Sequence, residues 1–192
     1  VGRKPHAFRR AVLAADAAEA IAALRMDDAP WRTSGSIAAR APQPVLMFPG
    51  QGAQYAGMGR ALHASDAVFA AAFDDCLHAL DGVTDFDLRE RMFSDDPGAL
   101  TPTAVTQPAL FTLEYALARR LLSLGLRPHA LIGHSVGEFV AAVIAGVMRL
   151  EDAARLVARR GALMQAQPAG AMLSVRLGAA QLAERLGPQL SL

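Results

Sequence analysis

The sequence has a single cysteine, Cys76, so it can form neither an internal disulfide nor a cysteine-rich metal site. It has no run of about 18 apolar residues, and its first residues lack the apolar segment of a signal peptide. Its 19 Lys and Arg residues nearly balance its 18 Asp and Glu residues, and the basic ones are dispersed apart from a small N-terminal group. We therefore expect no metal site, no membrane association, no nucleic-acid partner and a cytoplasmic location.

Apolar residues make up 53% of the chain and can form a sizeable core. Short apolar runs predict strands over residues 8–14, 45–48, 130–132 and 172–177. Apolar spacing of the helical kind predicts helices over residues 17–24, 64–80, 85–93, 108–124, 136–147, 151–165 and 179–186. Residues 27–44 have the composition of a linker. Strands that alternate with helices predict an α/β fold with a mostly parallel sheet.

The stretch Gly133-His134-Ser135-Val136-Gly137 fits the G-x-S-x-G pattern of a nucleophile elbow, with an apolar strand before it and a helix after it. Such a turn brings backbone segments close together, so a Cβ at Gly133 or Gly137 would clash. We expect Ser135 to be a nucleophile. The alternative is a serine that only caps a helix, and this does not explain glycines on both sides.

The sequence offers no evident base for this serine, because none of its five histidines follows Ser135. In hydrolase-like sheets the histidine comes last in the chain. His134 precedes the serine and points away from it, and His129 is expected at the opposite edge of the sheet. His63 and His78 are predicted to be solvated residues on amphipathic helices. We therefore expect the base to lie outside this sequence.

Two further segments bear on the chemistry. Gly50-Gln51-Gly52 follows the first buried strand and can present an N–H group to an oxyanion beside the N–H of Val136. A dinucleotide fingerprint is the alternative, but its third glycine is replaced by Tyr55. The helix after the elbow helix can return Arg159 or Arg160 towards the serine, and spacing alone does not say which. Either arginine could instead pair at the surface with Glu151 or Asp152.

Four ordered motifs resemble the acyltransferase domain of type I modular polyketide synthases and the related malonyl-CoA:acyl carrier protein transacylases. The matching stretches are FPGQGAQYAGMGR, TQPALFTLEYALA, GHSVGEFVAA and RRGALMQ. The resemblance implies a linker from a ketosynthase over residues 1–43, a hydrolase-like large subdomain over 44–170, and the start of a small ferredoxin-like subdomain over 171–192.

The resemblance also implies the reaction. Ser135 matches the nucleophile that takes an acyl group from a CoA thioester and passes it to the phosphopantetheine thiol of an acyl carrier protein. Gln51 and Val136 match the oxyanion-hole positions, and Arg160 matches the arginine that holds a malonyl carboxylate. No bound cofactor is implied. Val136 and the stretch TQPALF resemble the malonyl-using rather than the methylmalonyl-using branch.

The family's histidine follows the small subdomain, so we expect this chain to be inactive without downstream residues. The partners implied are malonyl-CoA, an acyl carrier protein, the missing C-terminal part of the domain, the ketosynthase and other synthase domains. A serine esterase or thioesterase is one alternative, and a non-catalytic truncated piece is another.

Overall fold

The computed structural model describes residues 6–26, 28, 32–36, 43–168, 170, 173, 175–187 and 190–191. The chain divides into two units, one comprising Val1–Val45 with Arg127–Ala130, and the other comprising Leu46–Leu126 with Leu131–Leu192. None of the helices in these described ranges is long and apolar enough to cross a membrane.

The first unit contains an antiparallel pair of strands and one helix. Strand β1 (Phe8–Val12) pairs with β2 (Arg32–Ser36). Helix α1 (Ala17–Arg25) lies between them in the chain, and the Asp16 carboxylate caps it by accepting a hydrogen bond from the Glu19 N–H at 2.8 Å. The predicted linker over residues 27–44 is wrong at residues 32–36, where polar residues with no apolar pattern form strand β2. Residues 27, 29–31 and 37–42 lie outside the described residues.

The second unit contains two strands and seven helices in its described residues. The elements are β3 (Val45–Phe48), α2 (Arg60–Ser65), α3 (Ala67–Leu80), α4 (Leu88–Phe93), α5 (Thr103–Ser123), β4 (Ala130–Gly133), α6 (Gly137–Ile144), α7 (Leu150–Gln165) and α8 (Ala179–Ala183). Strands β3 and β4 are neighbours in one sheet. The His129 N–H donates to the Pro44 carbonyl and the His134 N–H to the Phe48 carbonyl, so the strands run in parallel.

Helix α5 is the centre of the core and contacts α3, α4, α6 and α7. It begins at Thr103, five residues before the predicted start at residue 108. Pro108 lies within the helix, where its missing N–H costs one hydrogen bond near the N-terminus. The buried Thr106 hydroxyl donates to the Leu100 carbonyl at 2.5 Å and so ties the preceding loop to the helix.

Two other sequence predictions need correction. The helix predicted over 64–80 is two helices, because the Asp66 carboxylate accepts the N–H groups of Val68 and Phe69 and starts α3 anew. The strand predicted over 172–177 is not present in its described residues, which are Leu173 and residues 175–177. Met172 and Ser174 lie outside the described residues.

Glu114 is the one buried carboxylate on α5. It is 6% exposed, and neither of its oxygens has a hydrogen-bond partner in the described part of the chain. It lines a largely apolar cavity of about 240 Å³ between β3 and α5, together with Phe48, Leu113 and Leu117. Burial disfavours the charged carboxylate and raises its pKa from 4.5 to about 8.

This raised pKa predicts a specific dependence of stability on pH. The folded state binds the Glu114 proton more tightly than the unfolded state does. The free energy of unfolding therefore falls as the pH rises from 4.5 to about 8, and above that range Glu114 causes no further change. We expect a loss on the order of 2 to 4 kcal/mol, at about 1.4 kcal/mol per pKa unit with allowance for partial solvent access. Urea unfolding of the wild type and of Glu114→Gln at pH values across this range measures it.

Glu184→Gln provides the control, since it removes an exposed carboxylate. The wild type and Glu184→Gln should lose stability in parallel, and Glu114→Gln should lose much less. Identical pH profiles for Glu114→Gln and the wild type would contradict the assignment.

Candidate functional site

Ser135 lies in the turn between β4 and α6, at the edge of the sheet where β3 also ends. Its φ is 56°, and it is the only non-glycine residue with positive φ in the described part of the chain. A serine rarely adopts this left-handed conformation, so its surroundings must impose it. The turn continues directly into the helix, because the Gly137 N–H donates to the His134 carbonyl and the Glu138 N–H to the Ser135 carbonyl.

Close backbone contacts explain the glycines around this turn. A Cβ at Gly133 would lie 2.2 Å from the Glu138 nitrogen, and a Cβ at Gly137 would lie 2.3 Å from the Phe48 carbonyl oxygen. Both distances are far inside van der Waals contact, which confirms the expected clash. Gly50 is constrained in the same way, since its Cβ would lie 2.5 Å from the His134 Nδ1 atom.

The two predicted oxyanion donors lie at the ends of β3 and β4. Val136 is the N-cap residue of α6, so its N–H precedes the helical hydrogen bonds. In the described residues, neither this N–H nor that of Gln51 donates to a protein acceptor. The Gln51 side chain donates to the Thr103 hydroxyl at 3.1 Å and holds its loop against the start of α5. Both N–H groups therefore lack an acceptor in the described part of the chain, and Val136 itself is fully buried.

Arg160, rather than Arg159, points towards the serine. Its Nη2 donates to the Ser135 Oγ at 3.0 Å, whereas Arg159 is exposed. The surface alternative for Arg160 is wrong, because its guanidinium is directed at Ser135 and not at Glu151 or Asp152. No carboxylate of the described residues forms an ion pair with Arg160. The serine hydroxyl is therefore next to a cation whose charge is not neutralised.

Gln107 is a site residue that the sequence analysis missed. It is 1% exposed on α5, and its Oε1 accepts a hydrogen bond from the Arg160 Nη1 at 2.5 Å. Its Nε2 faces the Met164 sulfur at 3.1 Å. A polar residue on the buried face of a helix was the available signal, because such a residue needs an internal partner.

The histidines do not supply a base for Ser135. In the described residues, no histidine side chain bonds to its hydroxyl. His63 is not the solvated residue that the sequence predicted, because its ring packs edge-on against Phe73 and Phe93. Its Nε2 bonds to the Asp74 carboxylate at 2.8 Å and so links α2 to α3.

Comparison with known proteins identifies the family. The model of the acyl transferase domain family matches residues 45–192. The chain belongs to this family. Over 140 residues it is 51% identical to mycoketide-CoA synthase of Mycobacterium tuberculosis, and the match covers 72% of this acyl transferase chain and 3% of that protein. The chain thus spans a small part of the length of this relative.

Solved structures give the same result for the fold. The acyltransferase domain from the second module of the salinomycin polyketide synthase is 47% identical with a TM-score of 0.75, and the match covers 84% of this chain and 38% of that one. The malonyl CoA-acyl carrier protein transacylase of Clostridium perfringens is 33% identical with a TM-score of 0.64, and the match covers 74% of this chain and 45% of that one. The resemblance to polyketide synthase acyltransferases and the expected α/β fold are confirmed.

The contact between Gly137 and Phe48 predicts a large effect of a single methyl group. We expect Gly137→Ala to lower the free energy of unfolding by about 3 kcal/mol or more, because the methyl must push β3 away from the elbow. Gly187→Ala is the matched control, since a Cβ there meets nothing within 4 Å. Urea unfolding compares the two. A Gly137→Ala protein as stable as Gly187→Ala would contradict the described packing.

Proposed function

We propose that this domain transfers a malonyl-type unit from CoA, through an acyl-serine, to the phosphopantetheine thiol of an acyl carrier protein in polyketide synthesis. The observation that carries the proposal is the 3.0 Å contact between Arg160 and the Ser135 hydroxyl. A malonyl thioester has its reacting carbonyl and its free carboxylate on the same methylene carbon. A nucleophile beside an unpaired cation is complementary to such a substrate.

In the first step, the Ser135 Oγ attacks the thioester carbonyl and forms a C–O bond. The carbonyl oxygen becomes an oxyanion, and we assign its stabilisation to the backbone N–H groups of Gln51 and Val136. The C–S bond then breaks and CoA leaves as its thiol, with the proton that the serine has lost. In the second step, the phosphopantetheine sulfur attacks the acyl-serine carbonyl and forms a C–S bond. The C–O bond to Ser135 breaks, and the proton lost by the thiol returns to the serine oxygen.

The proton of Ser135 needs a base, and we assign this role to no histidine of this chain. We propose instead that a histidine downstream in the parent domain supplies it, so that the 192-residue chain alone transfers little or no acyl group. Partner domains follow from the same proposal. Residues 1–43 precede the family match at 45–192 and are proposed as the linker from a ketosynthase.

A serine esterase or thioesterase is the competing interpretation. Such an enzyme admits water to its acyl-enzyme and has no use for a carboxylate-binding cation beside the nucleophile. The direct hydrogen bond from Arg160 to the Ser135 Oγ favours the transferase.

Arg160 should matter for malonyl transfer and not for acetyl transfer. In a domain completed with its downstream residues, we expect Arg160→Ala to weaken malonyl transfer by roughly 2 to 5 kcal/mol in kcat/KM, as for other charge pairs that lose one partner. An acetyl group has no carboxylate, so its transfer should change little. Transfer of radiolabelled acyl groups from each CoA ester to a carrier protein measures both.

Arg159→Ala is the matched control, because it removes an exposed arginine one position away. It should leave both rates within about twofold, since exposed charges contribute little. Equal losses of malonyl and acetyl transfer in Arg160→Ala would mean that the arginine is structural, and the proposed substrate would be wrong.

The choice of extender unit is a finer proposal, namely preference for malonyl over methylmalonyl. It rests on the resemblance of Val136 and TQPALF to the malonyl-using branch. Val136 is fully buried in the core. Its side chain can therefore influence the choice between malonyl and methylmalonyl only by setting the position of the elbow backbone. Discrimination by one methyl is about 1 to 3 kcal/mol, so we expect roughly 10- to 100-fold selectivity.

A competition experiment tests this preference. The completed domain is mixed with equal concentrations of malonyl-CoA and methylmalonyl-CoA, and the two acyl-enzymes are separated by intact mass. The malonyl form should dominate at early times. Equal loading of both groups would refute the preference and leave the transferase assignment intact.

A further inference from the structure

We propose that Gln107 is a positioning residue that orients Arg160 towards the substrate carboxylate. The inference rests on the proposed function and adds to it the residue that sets the direction of the guanidinium. Among the described residues, the hydrogen-bond partners of the Gln107 side chain are Arg160 and Met164 and not Ser135, so it would act through Arg160.

The orientation of the Gln107 amide is fixed by its two partners. A glutamine side chain has one carbonyl acceptor and one NH2 donor. The carbonyl accepts from the Arg160 Nη1, and the NH2 faces the Met164 sulfur, which is a weak acceptor. In the opposite orientation, the NH2 would face a guanidinium that has only donors, and this contact would be repulsive. Because the side chain is 1% exposed, no bulk water can satisfy it instead.

Close packing of α5 and α7 holds the pair in place. Gln107 lies on α5 and Arg160 on α7. The next residue, Gly161, is buried, and a Cβ there would lie 3.1 Å from the Thr103 carbonyl oxygen. This near approach of the two backbones keeps the amide within reach of the guanidinium.

Gln107 is uncharged, so it leaves the positive charge of Arg160 in place. An arginine in a partly buried site needs a partner to fix its direction. A carboxylate partner would also cancel its charge and compete with a substrate carboxylate. An amide oxygen fixes the Nη1 side without cancelling the charge, and the Nη2 side remains directed at Ser135.

The test uses the completed domain and measures kcat/KM for malonyl and acetyl transfer. Gln107→Leu removes the acceptor, and we expect malonyl transfer to fall about 10- to 100-fold, as for loss of a hydrogen bond to a charged group. Acetyl transfer should change less than about threefold. In an Arg160→Ala background, Gln107→Leu should have no further effect on malonyl transfer, because the residue through which it acts is gone.

Gln107→Glu separates charge from position. It keeps the acceptor oxygen but adds a negative charge that competes with the substrate. Malonyl transfer by Gln107→Glu, relative to the wild type, should therefore be low at neutral pH. It should recover at lower pH, where the new carboxyl is protonated, and Gln107→Leu should show no such recovery. Gln165→Leu makes the same chemical change as Gln107→Leu at an exposed position on α7 and should alter neither rate.

Any of the following results would overturn the inference. Equal loss of malonyl and acetyl transfer in Gln107→Leu would indicate a structural role. The same conclusion would follow if Gln107→Leu lowered malonyl transfer as much in the Arg160→Ala protein as in the wild type. If Arg160→Ala itself shows no selective loss of malonyl transfer, the proposed function fails and this inference with it. If Arg160→Ala is selective and Gln107→Leu is not, only the inference fails.

Discussion

The crossing of three backbone segments at the elbow determines the geometry of the site. The Phe48 carbonyl at the end of β3 lies against the Cα of Gly137 at the start of α6, and the Gly133 Cα lies against the same helix start. These contacts leave no room for side chains and force Ser135 into a φ of 56°. The serine, the free N–H of Val136 and the loop that carries Gln51 are brought to one edge of the sheet as a consequence.

A second constraint brings the cation to this edge. Helix α7 packs against both α5 and α6, and the lack of a side chain at Gly161 allows its close approach to α5. Arg160 is thereby held between the Ser135 hydroxyl and the Gln107 amide. The charge of the guanidinium is not cancelled by any carboxylate of the described residues. The site therefore holds a serine hydroxyl beside a guanidinium with no carboxylate partner among the described residues, which is the basis of the proposed malonyl transfer.

Local features of this fold could be read from the sequence, and long-range ones could not. Strand β3 has its predicted bounds, and the roles of Gly133 and Gly137 followed from the chemistry of a strand-to-helix turn. The start of α5 was misplaced because burial stabilises a helix across a proline that local propensity treats as a boundary. The choice between Arg159 and Arg160 stayed open because it depends on how α7 packs.

Gln107 and His63 were missed for a related reason. Each is a polar residue whose partners are distant in the chain, such as Arg160 for Gln107 and Phe93 for His63. Sequence spacing indicates which face of a helix a residue occupies, but not what the opposite element presents to it.

The central claim is that Ser135 becomes malonylated, and intact-mass measurement with peptide mapping tests it most directly. The completed domain is incubated with malonyl-CoA, quenched in acid and digested. The account predicts one malonyl group per chain, on the peptide that contains Ser135, and none in Ser135→Ala. A malonyl group on another residue, or a completed domain that transfers acyl groups without any adduct at Ser135, would contradict it.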